Sequence, residues 1–98
     1  MRLTKIYVRH FLKPQFLYLG RGGAYFKPKY IKVFGDNVTI EDYPTLIGAS
    51  DANIQFTSWN IGEWNGQIKI GKFSLITPGV RIMAAESINM TLNVQLIK

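Results

Sequence analysis

The chain has no cysteine, which excludes disulfides, thiolate metal sites and a cysteine nucleophile together. It has one histidine, His10, too few for a histidine-rich metal site. Acids are scarce, six Asp and Glu against twelve Lys and Arg, and none falls within residues 1–32. Asp36, Glu41, Asp42 and Asp51 show neither metal-ligand spacing nor an acid–base pair, and read as solvated corner residues. No metal site is expected, and no catalytic or cofactor-binding residue can be assigned. No apolar run is long enough to span a bilayer, and the N-terminus lacks an uninterrupted apolar stretch followed by a small-residue cleavage site. The expected compartment is the cytoplasm.

What the chain does contain is enough apolar material, 47% of its 98 residues, for one small core. Its net charge of +6 is unevenly spread. Arg2, Lys5, Arg9, Lys13, Arg21, Lys27, Lys29 and Lys32 put the positive charge in the first third, while the remainder is slightly acidic. Residues 1–29 read as a basic cap segment. Within it, residues 2–13 fit an amphipathic helix with Leu3, Ile6, Tyr7 and Phe11 on one face, and Pro14 favours a break; the β-branched and aromatic content leaves an extended cap as the alternative. Basic and aromatic residues alternate here, so two roles arise: an end cap over the first coil of a solenoid, which we favour, or a weak anionic-membrane contact at the inner membrane face. His10 lies in this segment and reads as a surface residue.

From residue 30 to 98 the texture becomes short β-type runs separated by Gly, Asn or Asp. Ile70, Ile76, Ile82, Ile88 and Val94 stand six apart. That step matches neither a helix nor an alternating strand, but fits a hexapeptide solenoid in which each short strand sends one aliphatic side chain inward. Extended backwards, the phase meets Phe34, Ile40 and Leu46, then fails at Ala52 and Ser58. The gap predicts a loop inserted between coils near 57–67, carrying Trp59, Ile61 and Trp64. In Ile70-Gly71-Lys72-Phe73-Ser74 an aliphatic residue is followed by Gly and, three positions later, a small residue. Such residues suit a sharp corner with little room behind it.

These segments resemble the hexapeptide-repeat acyltransferases, particularly sugar and polysaccharide O-acetyltransferases. The likeness is strongest over residues 68–90, with Phe34-Gly35-Asp36-Asn37-Val38-Thr39-Ile40 similar to an earlier coil and Ala24-Tyr25-Phe26-Lys27-Pro28 to the strand leading into it. The resemblance implies an all-β fold, a left-handed parallel β-helix, here incomplete. It further implies a homotrimer, acetyl-CoA as co-substrate, a sugar or lipid-linked saccharide hydroxyl as acceptor, and a histidine base on a later coil. Met90-Thr91-Leu92-Asn93 replaces the corner residues usual in the family, and four residues beyond Val94 the sequence ends. The expectation is therefore a truncated or split enzyme, inactive alone, with no catalytic histidine carried over; His10 matches no family position.

Trp59 and Trp64 allow two readings, packing against the coil wall, which is favoured, or stacking on a pyranose ring in an acceptor cleft. Two rival architectures stand beside the acyltransferase scaffold. One is a small antiparallel barrel binding single-stranded nucleic acid, with hairpin turns at Gly71-Lys72 and Pro78-Gly79. The confinement of positive charge to the first third argues against it, so no nucleic-acid partner is expected. The other is a non-catalytic solenoid subunit that assembles with a complete enzyme through its open edge.

Overall fold

Short runs rich in Ile, Val and Phe, cut every few residues by Gly, Asn or Asp, form short strands. A computed structural model describes residues 2–60, 63–90 and 95–96, with the side chains of 4–60 and 63–86. Its strands are β1 Tyr18–Leu19, β2 Ala24–Phe26, β3 Ile31–Phe34, β4 Val38–Ile40, β5 Thr45–Ile47, β6 Ile54–Ser58, β7 Gln67–Ile70, β8 Leu75–Ile76, β9 Arg81–Ala84, β10 Ser87–Met90 and β11 Gln95–Leu96. Each pairs with the third strand along. The sheets have the orders β1-β4-β7-β10, β2-β5-β8-β11 and β3-β6-β9, and every pairing is parallel. The protein is thus mostly β, three parallel sheets stacked as walls, an arrangement consistent with a solenoid. The hairpins that an antiparallel barrel needs are absent among the described strands. Gly71-Lys72 and Pro78-Gly79 instead lie between strands of different walls.

The core runs along the inside of these walls. Val38, Ile40, Ile68 and Ile70 face it from the first wall, Leu46 and Ile76 from the second, and Ile31, Ile54, Phe56, Ile82 and Ala84 from the third; all are buried. Each such aliphatic or aromatic side chain contributes about 1.5–3 kcal/mol relative to exposure.

The six-residue ladder maps onto this core in part. Ile70, Ile76 and Ile82 occupy successive walls and are buried. Ile40 lies opposite Ile70, and Leu46 opposite Ile76. Both steps are 30 residues, a multiple of six, so the phase survives the inserted loop. The third wall departs from it. Phe34 is 52% exposed, because β3 turns Ile31 and Val33 inward and leaves Lys32 and Phe34 on the outer face. The residue opposite Ile82 is Phe56, ten positions after Leu46, because residues 48–53 lengthen the corner. At the other end Ile88 lies opposite Ile68, and Met90 opposite Ile70. The last winding therefore takes 20 residues, and the sequence ladder slips by two positions on the wall. Val94, the corner at 91–93 and Ile61 of the inserted loop lie outside the described residues.

One corner repeats with unusual backbone. Gly22, Tyr43 and Phe73 each follow the paired residues Leu19, Ile40 and Ile70 by three positions. All three are left-handed, with φ of 71°, 62° and 59°, a conformation that costs a non-glycine residue roughly 1–2 kcal/mol. The Tyr43 and Phe73 rings stack at 5.3 Å and 12°, a contact that offsets part of that cost. Gly22 lies beneath the Tyr43 ring, where a Cβ would come within 2.5 Å of Cδ1. One residue on from Phe73, the buried Ser74 hydroxyl donates to the Gly71 carbonyl at 2.6 Å, closing the turn that Gly71 begins.

The N-terminal helix buries a face that shares Tyr7 with the expected one but not Ile6 or Phe11, and the Leu3 side chain lies outside the described residues. Helix α1, Arg2–Tyr7, passes into a π-helical turn over Val8–Leu12 and a 3₁₀ turn over Lys13–Gln15. Leu12 and Phe16 are buried, with Tyr7 and Val8 packed against the core, whereas Ile6 and Phe11 are 45% and 60% exposed. The wider π turn rotates the following residues relative to an ideal helix, which moves Leu12 inward. Pro14 sits in the first positions of the 3₁₀ turn, where its missing N–H breaks nothing. The chain leaves the helix at Phe16, whose φ of −99° and ψ of 151° are extended.

Candidate functional site

Outward positions of the third wall form two rows. Lys32, Gln55 and Arg81 make one, and Phe34, Thr57 and Met83 the other. In the second row a small Thr stands between two large apolar residues, which leaves a hollow. Trp59, just past the end of β6, forms a side of it, and the resulting groove has a volume of about 670 Å³. That lies within the roughly 300–1,000 Å³ of small-molecule sites. Phe34, Trp59 and Met83 supply its apolar surface, and Asp36, Gln55 and Asn60 its polar atoms.

The backbone around Trp59 is held on both sides. Its N–H donates to the Ala84 carbonyl at 2.8 Å, and its own carbonyl accepts from Gly66 at 2.7 Å. The second bond ties together the ends of the inserted loop, so β6 and β7 bracket residues 59–66. Position 66 must be glycine because a Cβ there would collide with the Ala84 carbonyl oxygen. The groove's polar groups are also fixed. Asn60 Nδ2 donates to Asp36 Oδ1 at 3.2 Å, Gln55 Nε2 to Thr57 Oγ1 at 3.4 Å, and Arg81 Nη1 to Gln55 Oε1 at 3.2 Å. The arrangement can grip a ligand with one apolar face and hydroxyl-bearing edges. Among the residues that line it are no histidine, lysine or cysteine.

The other residues singled out from sequence are scattered. Trp64 is 58% exposed and does not line this groove. His10 is exposed on the N-terminal helix, away from it. Among the acids, Asp36 joins the groove, Glu41 lies 3.8 Å from Lys69, and Asp51 is exposed. Asp42 is the most engaged. Its Oδ1 accepts from the Tyr18 hydroxyl at 2.9 Å and from the Arg21 N–H at 3.1 Å, and its Oδ2 lies 3.7 Å from Arg21 Nε. The Tyr18 hydrogen bond, and after it the Arg21 N–H, holds the Asp42 carboxyl below its ordinary range, while the same bond raises the Tyr18 phenol. Phe34, Gln55, Thr57 and Met83 escaped the sequence reading. The alternation in IKVF and RIMA puts Phe34 and Met83 on the outward parity, but their meeting depends on coil offsets that no local pattern reveals.

A depressed carboxyl stabilises the fold above its unfolded pKa, and that contribution is lost as pH falls through the folded value. Asp42→Asn should therefore lower the melting temperature at about pH 6 and make much less difference at about pH 2. A Tm series for the two proteins checks this; a constant difference across the range would show that ionisation of Asp42 is irrelevant.

No family model, curated protein or solved structure matches this chain. Among the described residues no helix is long and apolar enough to cross a membrane, and no group of three or more His, Asp or Glu side chains is placed to hold a metal ion.

Proposed function

We propose that the chain is a scaffold of the hexapeptide-repeat acyltransferase kind, a left-handed parallel β-helix that forms trimers and positions a saccharide hydroxyl acceptor for transfer from acetyl-CoA. Support comes from the inward aliphatic residues six apart on successive walls, Ile70, Ile76 and Ile82, and from the Ser74–Gly71 corner between two of them. The observation that carries the acceptor reading is the groove, where Trp59 stands beside Phe34 and Met83 with amide and carboxylate groups at the edges. A pyranose has that same division, with C–H groups on its faces and hydroxyls around its edge. No histidine lines the groove, and its Asp36 carboxylate is held by Asn60, which favours a second reading, a non-catalytic saccharide-binding subunit.

In a Trp64→Phe background the indole emission reports Trp59 alone. Neutral oligosaccharides at millimolar concentration should shift that emission, and Phe34→Ala should weaken the binding about tenfold, roughly 1.4 kcal/mol. No shift with any saccharide at tens of millimolar would remove the acceptor reading. Calorimetry with acetyl-CoA separates the two forms: binding supports the acyltransferase, and its absence beside intact saccharide binding supports the non-catalytic subunit. A trimeric mass by light scattering supports the assembly; a monomer at all concentrations opposes it.

A further inference from the structure

On the side of the molecule where the N-terminal helix meets the first coil lies a second cleft, of about 600 Å³. Its helical side is a stripe of cations. Lys5 from α1, Arg9 from the π turn and Lys13 from the 3₁₀ turn all line the cleft. Leu12 and Phe16, buried in the core, pin the helix in the orientation that turns this stripe toward the coil.

The opposite side is the Gly20–Gly23 corner, with Arg21 at its centre. The fold requires its glycines for close approach. A Cβ on Gly20 would come within 2.5 Å of the Asp42 backbone, and one on Gly23 would collide with the Pro44 carbonyl. The corner therefore presents main chain, apart from Arg21. Among the described residues no hydrogen bond of the fold uses the Gly22 or Gly23 N–H, and no ion pair uses Lys5, Arg9 or Lys13. No acid lines the cleft. Of the residues lining the cleft, Asp42 engages Arg21 alone, from outside it; its other partner, Tyr18, also lies outside. Tyr25, also lining the cleft, has its phenol pushed up to about 12 by burial, so it stays a neutral hydroxyl beside the cations.

We propose that this cleft binds the phosphate or diphosphate group of a phosphorylated ligand, held by Lys5, Arg9, Lys13 and Arg21 against the glycine corner. Lys5, Arg9 and Lys13 share one cleft with a corner of main chain and Arg21, a set of donors that suits an anion with several oxygens. Guanidinium groups add paired, charge-assisted hydrogen bonds to its oxygens. A solvated basic face would need no cavity opposite it. The site lies away from the Trp59 groove, and the inference does not rest on the saccharide reading. The same headgroup chemistry is presented by a free phosphorylated metabolite and by a phosphomonoester lipid.

The test is calorimetry with inorganic pyrophosphate, using malonate at matched ionic strength as the charge control. Saturable pyrophosphate binding with a Kd below about 1 mM is expected, with malonate at least about tenfold weaker. Lys5→Ala/Arg9→Ala/Lys13→Ala should weaken it by more than about tenfold, while Lys32→Ala, on the outer face of β3, should leave it unchanged. If the triple variant does not fold, the exposed single change Arg9→Gln gives the same test. Sedimentation with phosphatidylcholine vesicles containing phosphatidic acid or, at equal charge, phosphatidylserine then distinguishes the sources. A preference for phosphatidic acid that pyrophosphate displaces identifies a lipid headgroup; pyrophosphate binding without that preference identifies a soluble ligand. Failure to bind pyrophosphate, equal binding of malonate, or undiminished binding by the charge variants overturns the proposal. Capture of a single-stranded oligonucleotide in place of pyrophosphate would overturn it as well.

Discussion

Phe56→Ala is expected to destabilise the protein by about 3–5 kcal/mol, the usual cost of deleting a fully buried aromatic side chain. Phe56 has no exposed surface. It lies opposite Val33 and Ile82 on the strands that flank it, and its ring meets Phe16 edge-on at 5.9 Å. The cavity cannot close easily, because β6 is hydrogen-bonded on both sides to β3 and β9. At roughly 4–8 °C per kcal/mol for a domain of this size, the melting temperature should fall by at least about 12 °C. Phe34→Ala is the informative control. The six-residue phase would make Phe34 the inward residue, whereas the structure puts it on the outer face, and its replacement should change stability by less than about 0.5 kcal/mol. Urea denaturation of the two variants decides the matter. Equal losses would mean that the third wall is assigned the wrong way round.

Leu12→Ala should cost about 2–5 kcal/mol, and Phe11→Ala very little. The two residues are adjacent and both apolar, but Leu12 is fully buried and Phe11 is 60% exposed. An ideal helix with Phe11 on its core face would invert the order. Because Leu12 comes from the segment that reaches over the core from outside the sheets, its loss should also loosen β1, the strand at that end of its sheet. Amide hydrogen exchange should then quicken at Leu17 and Gly20, whose N–H groups bond to the Val38 and Ile40 carbonyls, before it quickens in β7. A uniform acceleration would show that the helix supports the whole stack and not this end of it.

Both predictions separate what a short sequence pattern conveys from what it does not. Ile40, Leu46, Ile70, Ile76 and Ile82 were legible as core because their spacing depends only on the length of one side and one corner. Phe56 was not, since the corner before it, residues 48–53, is longer than the corner at 77–80 that leads to Ile82. Met90 was not either: its pairing opposite Ile70 follows from a 20-residue winding, in which a phase of six no longer returns to the same rung. The N-terminal helix was visible as a helix, but its buried face was shifted by a π turn that leaves no mark in hydrophobic spacing. The loop holding Trp59 showed as a break in phase. The groove did not, because Phe34, Thr57 and Met83 are 23 and 26 residues apart along the chain and meet only through parallel pairing.

The Asp42 cluster has the same origin. Tyr18 and Arg21 are 24 and 21 residues from the carboxylate they engage, one winding away, so nothing local in the sequence announces the contact. The column of Gly22, Tyr43 and Phe73 also shows the limit. A left-handed glycine is readable, whereas a tyrosine and a phenylalanine in that conformation are not, since their compensation lies in each other's rings.

By itself, the sequence determined that this protein is built of short strands with frequent corners, that much of its core repeats at six residues, and that its positive charge is confined to the first third. These depend on residue type and near neighbours. Only the tertiary structure decided which residues stand opposite one another, and hence the Trp59 groove, the Asp42 cluster and the cation-lined cleft. In a stack of parallel strands those neighbours are fixed by the length of each full winding, and the windings here differ in length.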